Sequence, residues 1–159
     1  MGVLIVLYHN NSNPDHGKLG HSKDKLDEKV SSKNYNTSTT FNKGDAPKKV
    51  ELGKSVKQAA CASQHTVCLT EEGEVFENDL CQVFVWGLNK KGTLGMTSKD
   101  LEISKPVKLN ISEKIIKIDV GSDFTVALSE SGKLYGWGSN YFGQLGSPSP
   151  LYCETPQEI

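Results

Sequence analysis

Two similar stretches of sequence decide the fold: VWGLNKKGTLG at residues 85–95 and GWGSNYFGQLG at residues 136–146. They align without gaps, and their Trp, Asn, Leu and last two Gly residues recur at an offset of 51 residues. A second pair, residues 62–76 and 121–135, is similar at an offset of 59 residues. Self-similarity at a fixed period of this length is the signature of a repeat architecture. The sequence therefore predicts an array of similar units.

The difference between the two offsets predicts an insertion of eight residues, 77–84, in the first of the two complete copies. It could be a hairpin with Asn78 and Asp79 at its tip, or retained non-coding sequence of a predicted gene. A third copy is recognisable near the amino terminus, where Gly-Lys-Leu-Gly at 17–20 matches the end of both quoted stretches. We interpret residues 1–21 as a degenerate partial repeat.

Short apolar runs separated by Gly-containing turns fill the second half of the chain. Runs of four to six residues with this spacing predict antiparallel strands, and no segment has a helical stripe. Pro47, Pro106 and Pro156 recur and are predicted to open the connections between strands. The six predicted strands are residues 56–60, 66–69, 83–86, 115–120, 125–128 and 133–137.

Residues 22–46 differ sharply in composition from the rest of the chain. They are rich in Ser, Thr, Asn and charged residues, and their few apolar residues have no period. Such a segment cannot bury enough surface to offset the entropy lost on ordering. We predict a disordered polar loop; a phosphorylatable tether is the functional alternative.

Composition excludes several classes of function. The chain has 159 residues and a formal net charge of −1, and all 18 of its basic residues are Lys. Without Arg it cannot supply an arginine finger, and sequence-specific DNA recognition is disfavoured. No secretory signal and no stretch approaching the ~18 apolar residues of a membrane span is visible. We expect a cytoplasmic or nuclear protein that is not secreted and binds no membrane.

The two repeated sequence motifs are Trp-Gly-x-Asn-x-x-Gly-x-Leu-Gly and Gly-x-x-x-Thr-x-Ala-Leu-x-x-x-Gly-x-Leu-Tyr. They resemble the repeat of the regulator of chromosome condensation (RCC1) family, with Ala62 and Phe124 departing from the usual Gly and His. The resemblance implies an all-β fold: an incomplete β-propeller of about two and a half RCC1-like repeats, with four-stranded antiparallel blades. Residues 47–159 form the RCC1-like repeat region, and its third copy is expected to be truncated. A propeller needs ~4 blades or more, so we expect a fragment or the product of a truncated gene.

We interpret the repeated residues as structural. The glycines suit backbone positions that need positive φ or close approach, and the tryptophans suit packing anchors. No catalytic residue is predicted. The structural repeat residues are Trp86, Gly87, Gly92, Leu94, Gly95, Trp137, Gly138, Gly143, Leu145 and Gly146.

Cys61, His65 and Cys68 are close enough in sequence to suggest a metal site, with Cys81 as the fourth ligand. A structural zinc site needs four ligands in compact pairs, which this spacing does not provide. We favour buried thiols and a hydrogen-bonded His in a turn, with no metal and no cofactor.

Five acidic residues and no Lys lie within residues 71–79. A solvated turn and an acidic docking edge for a basic protein surface are both consistent with this cluster. Its members are Glu71, Glu72, Glu74, Glu77 and Asp79.

Three functions are weighed. The favoured one is a non-enzymatic protein–protein interaction module, a fragment of a larger propeller. The resemblance also implies guanine-nucleotide exchange on a small GTPase of the Ran type, or the repeat region of a ubiquitin ligase. We further expect self-association, because an unfinished blade would expose Tyr135, Trp137 and Leu145 on one side and residues 3–7 on the other.

Overall fold

A computed structural model describes residues 50–71, 81–148 and 150–159. These residues form eight strands and a single turn of 3-10 helix at Lys90–Gly92. No helix among them is long and apolar enough to cross a membrane. The predictions for residues 1–21 and 22–46 lie outside the described residues. The strands are β1 Val56–Cys61, β2 His65–Thr70, β3 Val83–Leu88, β4 Glu102–Leu109, β5 Ile115–Val120, β6 Phe124–Ser129, β7 Leu134–Ser139 and β8 Tyr152–Glu158.

The strands form two four-stranded antiparallel sheets in which each strand pairs with the next one along the chain. The first sheet has the order β1-β2-β3-β4 and the second has the order β5-β6-β7-β8. Consecutive antiparallel strands can be joined by short connections, and those of β1–β2, β5–β6 and β6–β7 have only three or four residues. The predicted all-β fold with four-stranded units is confirmed.

Strands β4 and β8 were not predicted, and the expected role of the prolines is wrong for Pro106 and Pro156; Pro47 lies outside the described residues. Pro106 and Pro156 lie within β4 and β8 instead of opening connections. Each strand is at the edge of its sheet, and each proline lies in a stretch where the pairing register shifts. Proline has no amide hydrogen to donate, so it is tolerated at edges and bulges.

The inserted residues lie between two strands. The β2–β3 connection spans residues 71–82 and the β6–β7 connection spans 130–133, which confirms a difference of eight residues. However, Val83 and Phe84 pair with Leu69 and Cys68 and belong to β3, so the predicted bounds 77–84 are wrong. The sequence contains Val-Phe at both 75–76 and 83–84, and only strand pairing distinguishes the two alignments.

The main core lies between the two sheets. Successive side chains of a strand point to opposite faces, so one face of each sheet supplies this cluster. Cys68 and Trp86 lie on the other face of the first sheet, in a separate cluster with Val50. The buried members of the main core are Val67, Leu69, Cys81, Val83, Val85, Leu94, Leu109, Ile115, Ile118, Ala127 and Trp137.

The predicted exposure of the last repeat is wrong. Trp137 is fully buried, Leu145 is buried and Tyr135 is partly buried. Residues 134–159 do not begin a third sheet, because β7 and β8 complete the second one. Trp137 then contacts Gly95 of the first sheet, where a Cβ would lie 2.9 Å from the indole ring. The other predicted open side, residues 3–7, lies outside the described residues.

Candidate interaction site at the junction of the two sheets

Antiparallel pairing places alternate connections at opposite ends of the strands. The connections β1–β2, β3–β4, β5–β6 and β7–β8 share one end, which we call the long-loop side. The connections β2–β3, β4–β5 and β6–β7 share the other end, which we call the short-loop side. The β2–β3 connection, residues 71–82, carries the insertion and is long although it lies on the short-loop side.

An asparagine organises each long loop. The Asn140 side chain accepts a hydrogen bond from the Leu145 amide at 2.9 Å and donates to the carbonyl oxygens of Ser147 and Pro150. The equivalent Asn89 accepts from the Leu94 amide at 3.1 Å and donates to the Met96 carbonyl oxygen. Both asparagines are buried, so these bonds satisfy polar groups that water cannot reach. The sequence displayed the repeated Asn, but its bonding role was not predicted.

Gly87 and Gly138 let the long loops leave the strands at a close backbone approach. Their φ angles are 115° and 95°, and a Cβ would lie 2.4 Å from the Gln64 carbonyl oxygen in one sheet and 2.5 Å from the Asp123 carbonyl oxygen in the other. No other residue type fits such a position without moving the backbone. Gly87 therefore fixes how closely the β3–β4 loop approaches the β1–β2 turn, and Gly138 does the same for the β7–β8 loop and the β5–β6 turn.

Three side chains of the first sheet bond to the second sheet near the long-loop side. Gln58 donates to the Ile118 carbonyl oxygen at 2.5 Å and accepts from the Ile118 amide at 3.0 Å. Ser63 donates to the Ser122 carbonyl oxygen at 3.2 Å. The His65 Nε2 and the Thr125 hydroxyl oxygen are 3.1 Å apart. Together with the core they fix the position of the two sheets relative to each other.

His65 is the most unusual of these groups. It is fully buried at the start of β2, so its predicted position in a turn is wrong. Burial lowers its pKa to about 4, and the nearby Asp123 carboxylate opposes this shift. Its Nδ1 has no hydrogen-bond partner. His65 is therefore neutral at physiological pH and has one uncommitted polar atom.

Ala62 and Phe124, the two departures from the repeat pattern, belong to equivalent turns of the two sheets. A Cβ at Gly121 would lie 1.9 Å from the Phe124 ring, so the turn before β6 needs glycine. In the first sheet the His65 side chain is hydrogen-bonded to Thr125, and Ala62 occupies the position equivalent to Gly121. The pairs Ala62 with His65 and Gly121 with Phe124 are thus two solutions for one turn.

Lys91 crosses from the first sheet to the second. Its φ of 63° is the only positive value at a non-glycine position among the described residues. The ammonium group lies 3.5 Å from the Asp123 carboxylate and 5.1 Å from the centre of the Tyr141 ring. A left-handed backbone costs roughly 1–2 kcal/mol at a lysine, and these two contacts together stabilise by a similar amount.

A small pocket lies beside Lys91 on the long-loop side. Its volume is about 120 Å³, and Leu88 provides its apolar wall. Lys90, which is exposed, makes no ion pair within the described part of the chain. The polar residues that line the pocket are Gln64, His65, Lys90, Lys91, Thr93 and Asp123.

Exposed apolar side chains lie in the two long loops on the same side of the molecule as this pocket. Leu101 is 64% exposed although the second sheet packs beside its loop, and its equivalent Leu151 is 51% exposed. Tyr141 is 50% exposed, and its equivalent Lys90 is exposed as well. These positions therefore remain exposed whether or not another sheet packs alongside. Exposed apolar groups rimmed by charge are typical of protein-interaction surfaces.

The short-loop side carries Glu71, the first residue of the acidic cluster, and several ion pairs. Glu71 is exposed, and the other four predicted members of the cluster lie outside the described residues. Lys114 pairs with Glu130 at 2.8 Å, and Lys133 pairs with Glu158 at 3.1 Å. The hydrogen bond to Glu158 raises the pKa of Lys133.

The cysteines are not arranged as metal ligands. No group of three or more His, Cys, Asp or Glu residues suitable for a metal occurs in ranges 50–71, 81–148 and 150–159. Cys68, Cys81 and Cys153 are buried, and burial raises the pKa of Cys68 to about 12. Cys61 is exposed, so the expectation of a buried thiol at every cysteine is wrong there.

The repeat units match the models of a known family. Residues 115–144 match one family model described as the regulator of chromosome condensation (RCC1) repeat, and residues 82–128 and 131–159 match a second. Yeast Prp20p superimposes with a TM-score of 0.69 at 20% identity, over 92% of this chain and 32% of that chain. This similarity supports the propeller fold. The chain is an RCC1-like repeat protein that forms part of a β-propeller.

Curated relatives are considerably longer. The ultraviolet-B receptor UVR8 of Arabidopsis thaliana is 32% identical over 133 residues, which are 83% of this chain and 25% of the relative. The human E3 ubiquitin-protein ligase HERC2 is 32% identical over 120 residues, which are 72% of this chain and 2% of the relative. The chain thus spans a quarter or less of the length of these relatives.

Proposed function

We propose that the chain is a non-enzymatic protein–protein interaction module of the RCC1-repeat type, and that its partner binds to the long-loop side. One observation carries this proposal: the equivalent residues Leu101 and Leu151 are exposed in both repeats, and Tyr141 is exposed in the second. Leu101 stays exposed although the second sheet packs beside its loop. Burial of such groups against a partner is worth about 25 cal/mol per Å² of apolar surface, before the costs of association.

The distribution of sequence differences supports the same conclusion. The repeated Trp and Asn residues are buried in both sheets, where packing restricts them. The two residues after the Asn change completely, from Lys90 and Lys91 in one loop to Tyr141 and Phe142 in the other. Variable side chains on a rigid framework are typical of binding loops.

Guanine-nucleotide exchange on a small GTPase of the Ran type is the second candidate. The bovine secretion-regulating guanine nucleotide exchange factor is 36% identical over 106 residues, which are 65% of this chain and 21% of that factor. Yeast Prp20p, which shares the fold of this chain, has binding properties to Gsp1p and histones. Release of a fluorescent nucleotide from a Ran-type GTPase tests this candidate, because an interaction module alone leaves the release rate unchanged.

A third candidate is membership in a longer ubiquitin ligase, and the similarity to HERC2 supports it.

We also propose that the acidic cluster 71–79 is a docking edge for a basic protein on the short-loop side. Self-association is likewise retained, through the outer face of the second sheet, where Leu134 is 39% exposed. A monodisperse monomer in sedimentation, with one cooperative melting transition, would contradict self-association.

Site-specific photocrosslinking in cell extract tests the proposed function. A photoreactive phenylalanine analogue replaces Leu151 on the long-loop side, Glu71 on the short-loop side or Lys108 on the edge strand β4, which is the control. All three residues are exposed. We expect one reproducible adduct from position 151 that positions 71 and 108 do not give. An adduct from position 71 alone would favour the acidic edge, and the same background from all three would contradict an interaction module.

A further inference from the structure

The pocket beside Lys91 is a binding site for one side chain. We propose that it receives the carboxylate of a glutamate or aspartate from a partner protein, in a segment whose neighbouring residues are apolar. This inference rests on the proposed function, because it names the chemistry of the partner that the long-loop side binds. Size, charge and the surrounding surface each support it.

The size of the pocket limits its occupant. Its volume is about 120 Å³. Sites for whole cofactors or drug-sized ligands are about 300–1,000 Å³. A nucleotide does not fit, whereas the end of one side chain does.

The charge of the pocket calls for one anion. Lys90 and Lys91 contribute two positive charges and Asp123 contributes one negative charge. Lys91 is already paired with Asp123 at 3.5 Å, and His65 is neutral because burial lowers its pKa. The Lys90 ammonium is left without an ionic partner in the described ranges. One carboxylate balances one ammonium, whereas a phosphate group carries up to two negative charges and usually binds to several basic groups.

The pocket also has an uncommitted buried atom. His65 lines it, is 1% exposed and leaves Nδ1 without a hydrogen-bond partner. Thr93 is committed, because its hydroxyl donates to the Leu88 carbonyl oxygen at 2.5 Å. Buried polar atoms are nearly always bonded in folded proteins, and among the described residues only His65 Nδ1 and Trp137 Nε1 are not; of these two residues only His65 lines the pocket.

The rim of the pocket favours apolar neighbours of that carboxylate. The Lys91 ammonium lies 5.1 Å from the centre of the Tyr141 ring, which places the ring directly beside the pocket. Tyrosine is enriched in interfaces because it offers a large rigid surface with a polar tip. An apolar residue next to the acidic one would cover this ring and exclude water from the ion pair.

A peptide titration of the whole chain tests the proposal. The probe is acetyl-Ser-Leu-Glu-Leu-Ser-amide, and the same peptide with Gln in place of Glu is its neutral counterpart. Backbone amide spectra are recorded at low ionic strength, where exposed charge pairs are screened least. We expect shifts at Gln64, Lys90 and Thr93, and about fivefold tighter binding of the Glu peptide.

Two matched variants locate the charge effect. Lys90→Gln is expected to reduce the affinity for the Glu peptide to that of the Gln peptide. Lys108→Gln removes the same charge from an exposed lysine of β4 and is expected to change nothing. Unchanged amide shifts in the strands show that both variants remain folded.

Several results would overturn the proposal. These are equal affinities for the two peptides, shifts confined to the short-loop side near Lys133, or no binding at about 10 mM peptide. A Gln peptide with a free terminal carboxylate that binds as tightly as the Glu peptide would also overturn it, in favour of a chain terminus. The photocrosslinking experiment is independent of charge. If crosslinking succeeds and the titration fails, the interaction module stands and the carboxylate pocket does not.

Discussion

The first and second sheets solve one packing problem with different loops. Trp86 and Trp137 are both fully buried, and both strands that contain them pair with an edge strand that bulges at a proline. The β2–β3 connection, in contrast, spans residues 71–82 where the β6–β7 connection spans 130–133. The comparison shows that packing constrains the interior of each unit and leaves its connections free to change.

The largest expected effect on stability distinguishes the two buried tryptophans. Trp137 belongs to the core between the sheets, whereas Trp86 belongs to the smaller cluster with Val50 and Cys68. We expect Trp137→Ala to lower the free energy of unfolding by about 3–5 kcal/mol. Urea unfolding measures this change. Leu134→Ala, at a half-exposed position of the same strand, should cost less than about 1 kcal/mol, and an equal loss from both variants would refute a core between the sheets.

The next effect depends on the difference between His65 and Phe124. Because burial lowers the His65 pKa from 6.5 to about 4, only the unfolded chain takes up a proton between these values. Stability contributed by this group is therefore complete above pH 6.5 and is lost as the pH falls towards 4, by about 3 kcal/mol at most. Thermal melts of the wild type and of His65→Gln across this range measure it. Parallel pH profiles for the two proteins would show that His65 is not responsible.

A smaller effect separates the two asparagines. Asn140 makes three hydrogen bonds and Asn89 makes two, all of them within their own long loop. A lost buried hydrogen bond typically costs about 1 kcal/mol. We expect Asn140→Ala to destabilise the chain by about 2–3 kcal/mol and Asn89→Ala by about 1 kcal/mol less. Chemical unfolding of both variants gives the order, and the reverse order would show that the number of hydrogen bonds does not determine the loss.

The smallest effect is a coupling between Gly121 and Phe124. Gly121→Ala must displace the Phe124 ring, which can rotate, so we expect a cost of about 1–2 kcal/mol. In the Phe124→His background, which mimics Ala62 with His65, the same substitution should be nearly neutral. A double-mutant cycle in urea measures the coupling energy, expected to be about 1 kcal/mol. Additive single effects would show that the two departures from the repeat pattern arose independently.

Much of the fold could be predicted from the sequence because the central strands are continuous apolar runs. Strands β2, β6 and β7 were recognised, although each boundary moved by one or two residues. Strands β4 and β8 were missed because they contain Pro106 and Pro156, which an edge strand tolerates; the edge strands β1 and β5 contain no proline and were predicted. Local pattern does not carry the information that these segments pair with β3 and β7.

The candidate site could be predicted only in part. The repeated glycines and tryptophans were visible as a pattern, and their positions in the structure follow from it. The bond between His65 and Thr125 joins residues 60 positions apart, and the pocket combines residues from both sheets. Such proximity depends on how two sheets pack, which no spacing within one repeat reveals.

The repeat of the sequence and the sheet of the structure are out of phase. The family match over residues 82–128 covers β3 and β4 of the first sheet and β5 and β6 of the second. Loss of one such unit from a gene would join β2 to β7, and those strands meet at the same kind of hairpin that β2 and β3 form now. Duplication of the unit would likewise add one whole sheet. Unequal recombination can therefore change the number of blades by whole steps, and no descendant inherits a sheet with missing strands.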